Sequence, residues 1–257
     1  MKHHLRLMLI AMCCLMLSIP AALAAQETKP FTATEDKSSL CSAFNELNDL
    51  IRDGRIAKAA ARRELPARLA EIRAEYYQRG GSDYSSAQWV FPLAGYDAGA
   101  IDRGGNHGFV RGGYDFYSGN RHGGHPAYDI FIRDRNQDSR DDRNGAPGSV
   151  VSMSGGVVVA LDNGWLPGSG LRGGNYLWVY DPGNDLLVYY AHNEELFVGL
   201  GAVVKPGDLL ATVGRSGLNA AKRRSPTHLH LSVLHLEKGQ PVPVPVYREL
   251  QRVKKLP

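Results

Sequence analysis

Two histidines on one face of a predicted strand are the residues of this sequence best suited to chemistry. Residues 225–234 alternate as a half-buried strand does, with leucine and valine on one face and His228, His230 and Ser232 on the other. A core strand gains nothing from two imidazoles on the same side, since each would need a buried hydrogen-bond partner. Neutral imidazole is a standard zinc ligand and also moves protons. The pattern therefore indicates either a metal site or two half-exposed histidines.

A second candidate pair precedes this strand. His125 and Asp129 are four residues apart, but the neighbouring glycines and Pro126 argue against a helix. On a straight strand the two residues would lie about 13 Å apart at ~3.3 Å per residue, and one zinc ion with bonds near ~2 Å could not reach both. We therefore expect the chain to curl at His125 and Pro126. Taken alone, the pair is equally explained as a loop histidine and an aspartate that begins a strand.

A third candidate, His192, ends the second strand of a predicted hairpin. Residues 176–180 and 186–191 are the strands, and the turn between them contains proline, glycine and asparagine. Alone, His192 would be an ordinary surface histidine at a strand end. The three segments together supply four histidines and one aspartate. A mononuclear zinc site needs three protein ligands and an open position for water, which leaves the other groups to act on protons or charge.

The order and context of these motifs resemble the lysostaphin-type zinc endopeptidases, which cut peptidoglycan. The resemblance covers roughly residues 86–240 and includes the glycine pair at 155–156 and the turns at 204–208 and 213–217. It implies that one zinc ion per chain is bound by His125, Asp129 and His230, and that His192 and His228 are catalytic. Spacing alone does not decide which histidine of the His-x-His pair is the ligand.

The same resemblance implies a fold and an activity. The expected fold is β-rich: an antiparallel sheet domain with an open groove for an extended peptide, preceded by a short α-helical N-terminal segment. The expected activity is that of an exported zinc metalloendopeptidase, a hydrolase that cleaves stem or cross-link peptides of peptidoglycan. His228 would take a proton from water, and His192 would stabilise the oxyanion or help to protonate the leaving amine. The alternatives are a non-catalytic wall-binding or hydrolase-activating protein of this fold and, more distantly, a metal or sugar binder without proteolysis.

Three regions are predicted along the chain: a signal peptide at 1–24, a helical N-terminal region at 25–85 and the zinc endopeptidase β domain at 86–250. Lys2 and Arg6 precede an apolar run at residues 7–17, and small residues at 22 and 24 suit a cleavage site there or one residue later. The apolar run is too short for a comfortable membrane span. We therefore expect export to a periplasm or to the cell exterior, and no transmembrane segment in the mature chain.

The N-terminal region reads as helical. An apolar stripe with helical spacing predicts a first helix that ends at Asp53 and Gly54. A second helix begins near Ala57, is interrupted at Pro66 and resumes until Gly80. About 45 residues of this kind cannot bury a core of their own. We expect them to pack on the main domain or to hold a partner.

Composition and charge exclude several other classes. Hydrophobic residues at 43% and charged residues at 22% are typical of a globular protein. Removal of the leader lowers the formal net charge from +4 to +2, and no nucleic-acid-binding motif is present, so no nucleic-acid partner is expected. Of the three cysteines only Cys41 remains, which excludes an internal disulfide, and its place on the apolar stripe argues against a thiol enzyme. The oligomeric state is not indicated.

Residues 134–143 form a charged insertion, which is longer than the short turn that the family resemblance implies at this place. The spacing of Asp134, Asn136 and Asp138 is like the start of a calcium loop, but Ser139 replaces the turn glycine and no glutamate closes the loop. We expect a solvated loop, with calcium as the weaker alternative. The basic run at residues 222–224 either meets carboxylates of a wall peptide or is a solvated loop.

Overall fold

An antiparallel sheet of nine strands is the main feature of the computed structural model, which describes residues 39–257. The described residues all fall in one compact unit. The predicted signal peptide and residues 25–38 of the predicted helical region lie outside the described residues. The helices are α1 (Ser39–Arg52), α2 (Lys58–Gln78) and α3 (Tyr247–Leu250), and the strands are β1 (Tyr128–Phe131), β2 (Ser149–Val151), β3 (Gly156–Asp162), β4 (Asn175–Asp181), β5 (Leu186–Leu196), β6 (Val203–Val204), β7 (Leu209–Val213), β8 (His228–Glu237) and β9 (Gln240–Pro243).

The sheet has the strand order β1-β8-β5-β4-β3-β6, with β2 paired to β7, β7 also paired to β5, and β9 paired to β8. The strand pairs in this sheet are antiparallel. The predicted hairpin is confirmed as β4 and β5, with Trp178 opposite Tyr189. Its turn is closed by Asp181, whose carboxylate accepts hydrogen bonds from the backbone and side-chain amides of Asn184 at 3.2 and 2.8 Å. The β-rich antiparallel fold predicted from the sequence is therefore confirmed.

The two faces of the sheet carry different cores. The alternation of β8 places Leu229, Leu231 and Val233 in the core on one face. On the opposite face, aromatic residues of β4 and β5 pack with the helices. Because the side-chain period of a strand is two residues, His228 and His230 project on this second face. His228 and His230 thus lie on the side of the sheet where α1 and α2 pack.

Both N-terminal helices pack on the sheet. The apolar stripe of α1 is buried in the same core cluster as residues of β3, β4 and β5. Asn45 Oδ1 accepts a hydrogen bond from the backbone amide of Leu161 at 2.9 Å, and Asn48 Nδ2 donates one to Tyr176 Oη at 3.0 Å. Packing on the main domain is therefore confirmed for the described helices. The domain boundary near residue 85 stays a prediction.

The predicted interruption at Pro66 is wrong, because α2 runs without a break from Lys58 to Gln78 with Pro66 inside it. Proline has no N–H to donate to the carbonyl four residues earlier, which belongs to Arg62. That carbonyl instead accepts a hydrogen bond from Gln240 Nε2 at 3.1 Å. A side chain from β9 therefore replaces the missing backbone donor.

Within residues 39–257, no helix combines the length and the apolar character needed to cross a membrane.

Candidate metal centre and active site

Strands β1 and β8 bring Asp129 and His230 side by side. The two residues are directly paired in the antiparallel register, and His230 is paired on its other side with Ala191 of β5. His230 Nδ1 lies 3.0 Å from Asp129 Oδ1. His228 is two residues earlier on the same face, opposite Phe131, and its Nε2 lies 3.6 Å from the same carboxylate oxygen. Register alone therefore gathers three of the five predicted site residues.

His125 reaches the same carboxylate because the chain curls before β1. The backbone amide of Ala127 donates to the carbonyl of His125 at 2.8 Å, and His125 exchanges two backbone hydrogen bonds of 2.7 Å with Val110. This geometry brings His125 Nε2 to 3.3 Å from Asp129 Oδ1. Gly124 has φ +70°, and a Cβ there would lie 2.5 Å from the carbonyl oxygen of Gly112. The curl expected from distance arithmetic is confirmed.

The ligand atoms of His125, Asp129 and His230 fit a zinc ion. All three lie within 4.8 Å of one another, and within the described part of the chain no other group of histidine, cysteine and acidic side chains comes as close. Zinc bonds of about 2.0–2.1 Å at tetrahedral angles place neighbouring ligand atoms about 3.3 Å apart, close to the two separations from Asp129 Oδ1. His125 Nδ1 donates to the carbonyl of Gly108 at 2.9 Å, which leaves Nε2 unprotonated toward the carboxylate.

The three residues differ in how the fold changes their protonation. Burial acts to raise the pKa of Asp129, but the adjacent imidazoles of His125 and His230 hold this pKa well below its usual range. Burial acts to lower the pKa of His125, whereas the adjacent carboxylate of Asp129 raises it, and the net shift is upward. Burial lowers the pKa of His230. Asp129 is thus a carboxylate and His230 a neutral imidazole near neutral pH, as metal ligands must be.

His192 and His228 lie beside these three side chains. The His192 ring centroid is 4.9 Å from that of His228 and 5.3 Å from that of His230. His192 Nδ1 donates to the carbonyl of Ser216 at 2.8 Å, and His228 Nδ1 donates to the carbonyl of Pro226 at 2.7 Å. A carbonyl can only accept, so each neutral ring carries its proton on Nδ1 and leaves Nε2 free. Burial and then the neighbouring His228 hold the pKa of His192 well below its ordinary value.

The backbone has unusual φ angles at His192 and at the neighbouring Gly217. Its φ of +66° lies in the left-handed region that non-glycine residues rarely adopt. Its backbone amide donates to the carbonyl of Gly173 at 2.9 Å. At Gly217, where φ is +108°, a Cβ would lie 2.8 Å from His192 Nδ1 and 2.5 Å from the carbonyl oxygen of Arg172. Gly217 is therefore required for the loops to close around this histidine.

A pocket of about 320 Å³ opens beside the five predicted site residues, all of which line it. One end is lined by α1, through Asn48, Ile51 and Arg52. The sequence analysis assigned none of the other lining residues, such as His122, to a functional site. The aromatic members are Tyr114, Phe116, Tyr176, Trp178 and Tyr189. Tyr189 could have been found, because it stands in the same segment as His192, three residues earlier.

The charged insertion is held by a buried carboxylate. Asp134 is buried, and its two oxygens accept backbone hydrogen bonds from Asp138 at 3.1 Å and Ser139 at 2.9 Å. Thr227 Oγ1 donates to the same carboxylate at 2.6 Å. Asn136 Nδ2 donates to Asp138 Oδ2 at 2.8 Å. The insertion is thus anchored to the residue before His228 and is not simply solvated, while calcium binding stays an untested alternative.

Comparison with known proteins agrees with this geometry. Residues 141–243 match Peptidase family M23, a region that contains His192, His228 and His230 and begins after His125 and Asp129. The match confirms the resemblance to lysostaphin-type peptidases, and it covers less than half of the chain. A search of curated proteins found no match.

Several solved structures are similar over part of their length. A structure described as a glycyl-glycine endopeptidase LytM from Ruminococcus gnavus is 29% identical, with 51% of this chain and 48% of that chain covered and a TM-score of 0.38. A zinc-containing peptidase from Vibrio cholerae is 20% identical, with coverage of 70% and 43% and a TM-score of 0.38. Lysostaphin from Staphylococcus simulans is 19% identical, with coverage of 56% and 48% and a TM-score of 0.37. The chain spans about half the length of these structures.

Proposed function

We propose that this chain is an exported zinc-dependent endopeptidase that hydrolyses peptide bonds in peptidoglycan stem or cross-link peptides. The observation that carries the proposal is the convergence of His125, Asp129 and His230, with the free Nε2 atoms of His192 and His228 next to them. Two imidazoles and a carboxylate form a donor set typical of catalytic zinc. Export, to a periplasm or beyond the cell, follows from the leader predicted at residues 1–24.

In this proposal His125 Nε2, Asp129 and His230 Nδ1 hold one zinc ion per chain. Bound zinc would lower the pKa of a water molecule toward about 7 and polarise the carbonyl of the scissile peptide bond. The hydrogen bond from His125 to Gly108 keeps the imidazole in the tautomer that presents Nε2. Three ligands leave a fourth position for water or substrate.

His228 acts as the general base in the proposed reaction. Its Nδ1 hydrogen bond to Pro226 leaves a lone pair on Nε2, which lies 3.6 Å from Asp129 Oδ1 and thus within the ligand cluster. This atom takes the proton of the attacking water. The carbonyl of Pro226 then faces the remaining N–H of the imidazolium and stabilises its charge.

His192 acts on the other side of the reacting carbonyl. Its Nε2 is unprotonated in the neutral ring, so His192 can donate to the oxyanion or to the leaving amine only after it has taken a proton. Burial and the neighbouring histidines disfavour the imidazolium form and lower its pKa. The proton that His192 takes is the one that His228 has removed from water, since the two ring centroids are 4.9 Å apart. The buried imidazolium of His192 is a stronger acid than a solvated one, which favours delivery of this proton to the amine.

The test is zinc analysis combined with digestion of purified peptidoglycan and of a defined cross-linked muropeptide. The proposal expects about one zinc per chain and cleavage products with one new amino and one new carboxyl terminus, identified by mass spectrometry. A chelator should abolish cleavage, and added zinc should restore it. Stoichiometric zinc without cleavage of any wall peptide would instead favour a metal or sugar binder. Wall binding without cleavage would favour the non-catalytic alternative.

A further inference from the structure

Among the described residues that line the pocket, Arg172 is the one whose charge is not paired with an opposite charge. Three lining residues have a formal charge: Arg52, Asp129 and Arg172. Arg52 is paired with aspartates at positions 49, 53 and 162, and Asp129 contacts three histidines. Within residues 39–257, no carboxylate forms an ion pair with Arg172, whose side chain bonds only to backbone carbonyls.

The backbone at Arg172 is fixed next to His192. The carbonyl of Leu171 accepts a hydrogen bond from the amide of Leu218 at 3.0 Å, and the carbonyl of Gly173 accepts one from the amide of His192 at 2.9 Å. Residues on both sides of Arg172 are therefore tied to the loops that surround the predicted catalytic histidine. The position of Arg172 is set by the same contacts that set the position of His192.

The guanidinium of Arg172 extends toward the segment that carries His125. Its Nη1 donates to the carbonyls of Asn120 and His122 at 3.2 and 2.8 Å, and His122 precedes His125 by three residues. Arg172 thus joins the two loops that flank the ligand cluster. Within the described part of the chain its Nε and Nη2 make no hydrogen bond, and the side chain is half-buried.

A peptide bound in the pocket would meet these unused donors. A carboxylate takes two parallel hydrogen bonds from one guanidinium, and such charge-assisted pairs are about twice as strong as neutral ones. The aromatic residues lining the pocket offer no competing anion, and they lower the local dielectric around an ion pair. The complementary group is therefore a carboxylate, from the C terminus of a peptide or from an acidic side chain.

We propose that Arg172 binds a carboxylate of the peptide substrate and makes the site prefer peptides in which this group is free over those in which it is amidated. The inference rests on the proposed peptidase function. It adds a substrate-binding residue outside the five histidine and aspartate side chains, and it defines the substrate class as anionic peptides.

The experiment compares matched peptides on the zinc-loaded full-length protein. One pair differs only in a free or amidated C terminus, and a second pair differs only in an internal glutamate or glutamine. The wild type should cleave one carboxylate form with a kcat/KM about tenfold to a hundredfold above its amide, the range expected for a hydrogen bond to a charged group. The pair that shows the preference identifies the source of the carboxylate.

Arg172→Gln should bring the ratio of the two kcat/KM values, carboxylate form over amide form, to about one, whatever its effect on the overall rate, and Arg172→Lys should retain part of the preference. A residue that only supports the loops would instead lower the cleavage of both forms equally. Arg111→Gln is the matched control, because Arg111 is exposed and lies outside the pocket. Equal cleavage of both forms by the wild type, or a preference that persists in Arg172→Gln, overturns the inference.

A binding measurement separates this inference from the proposed function. The same peptides are titrated by calorimetry into wild type and Arg172→Gln after zinc removal with a chelator. Tighter binding of the carboxylate form by the wild type alone supports the role of Arg172 even if no peptide is cleaved, an outcome that would refute the peptidase proposal. Equal binding of both forms by the two proteins overturns the role of Arg172, whatever the activity.

Discussion

Replacing Thr227 by valine removes the hydrogen bond that ties the start of β8 to a buried carboxylate. Thr227 Oγ1 donates to Asp134 Oδ2 at 2.6 Å and accepts from Arg215 Nη1 at 3.2 Å. Thr227 is 1% exposed, so water cannot readily replace the lost hydroxyl. Valine has nearly the same shape, and the substitution therefore tests the hydrogen bonds without opening a cavity.

The expected loss follows from the partners that remain. A hydrogen bond to a charged group contributes about 1.5–3 kcal/mol. Asp134 keeps its bonds from the amides of Asp138 and Ser139, and Arg215 keeps the carbonyls of Lys222 and Ser225. We therefore expect the lower part of this range, about 1.5–2 kcal/mol. At 2–4 °C per kcal/mol for a domain of roughly 200 residues, the Tm should fall by about 3–8 °C.

Denaturant unfolding of wild type, Thr227→Val, Asp134→Asn and the double variant measures the effect as a coupling free energy. Zinc content should remain unchanged, because the carbonyl of Thr227 still accepts the amide of Ile132 at 3.2 Å and holds the backbone. Thr227→Ser is the control that keeps the hydroxyl, with a loss of about 0.8 kcal/mol for the buried methyl. A stability within 0.5 kcal/mol of wild type, or strict additivity of the two substitutions, would refute the reasoning.

The remaining predictions concern the metal site and helix α2. His230→Ala should abolish zinc binding, whereas His228→Ala should keep stoichiometric zinc and lose about 10²–10⁴ in kcat; metal analysis with peptide kinetics checks both, and full activity of His228→Ala would remove its assignment as base. Gln240→Leu should lower the free energy of unfolding by about 0.5–1.5 kcal/mol for each lost hydrogen bond, since the carbonyl of Arg62 loses its donor and the Tyr117 hydroxyl loses its acceptor. In a Pro66→Ala background the new backbone N–H can serve that carbonyl, and an undiminished Gln240 effect there would contradict this account.

The parts of the site that depend on strand periodicity, turn residues and short spacings were predictable from the sequence. The two-residue period of β8 places His228 and His230 on one face whatever the strand packs against. The turn residues between β4 and β5 fix the hairpin that ends near His192. The curl at His125 was also predictable, because zinc bond lengths exclude a straight strand between His125 and Asp129.

The features that were missed depend on partners distant in the sequence. Pro66 reads as a helix break because its local neighbours offer no replacement for the lost hydrogen bond, and the replacement comes from Gln240, far along the chain. Asp134 reads as part of a solvated loop, with calcium as the weaker alternative, because the Thr227 hydroxyl that donates to its carboxylate is remote in the sequence. Periodicity and spacing carry no information about such contacts.

The pocket also depends on contacts between residues that are distant in the sequence, and these contacts could not be predicted from sequence patterns. Some of its lining residues come from β1 and β8 and others from α1, where Asn48 Nδ2 and Arg52 Nη1 both donate to Tyr176 Oη at 3.0 Å. Sequence patterns assign α1 to a separate helical region, since nothing in its apolar stripe indicates that its polar residues line a site. Because α1 contacts Tyr176, the packing of this helix affects the space that the pocket leaves beside the predicted zinc ligands. Under the proposed function, residues of α1 therefore influence which peptides fit the pocket, although they take no part in the chemistry.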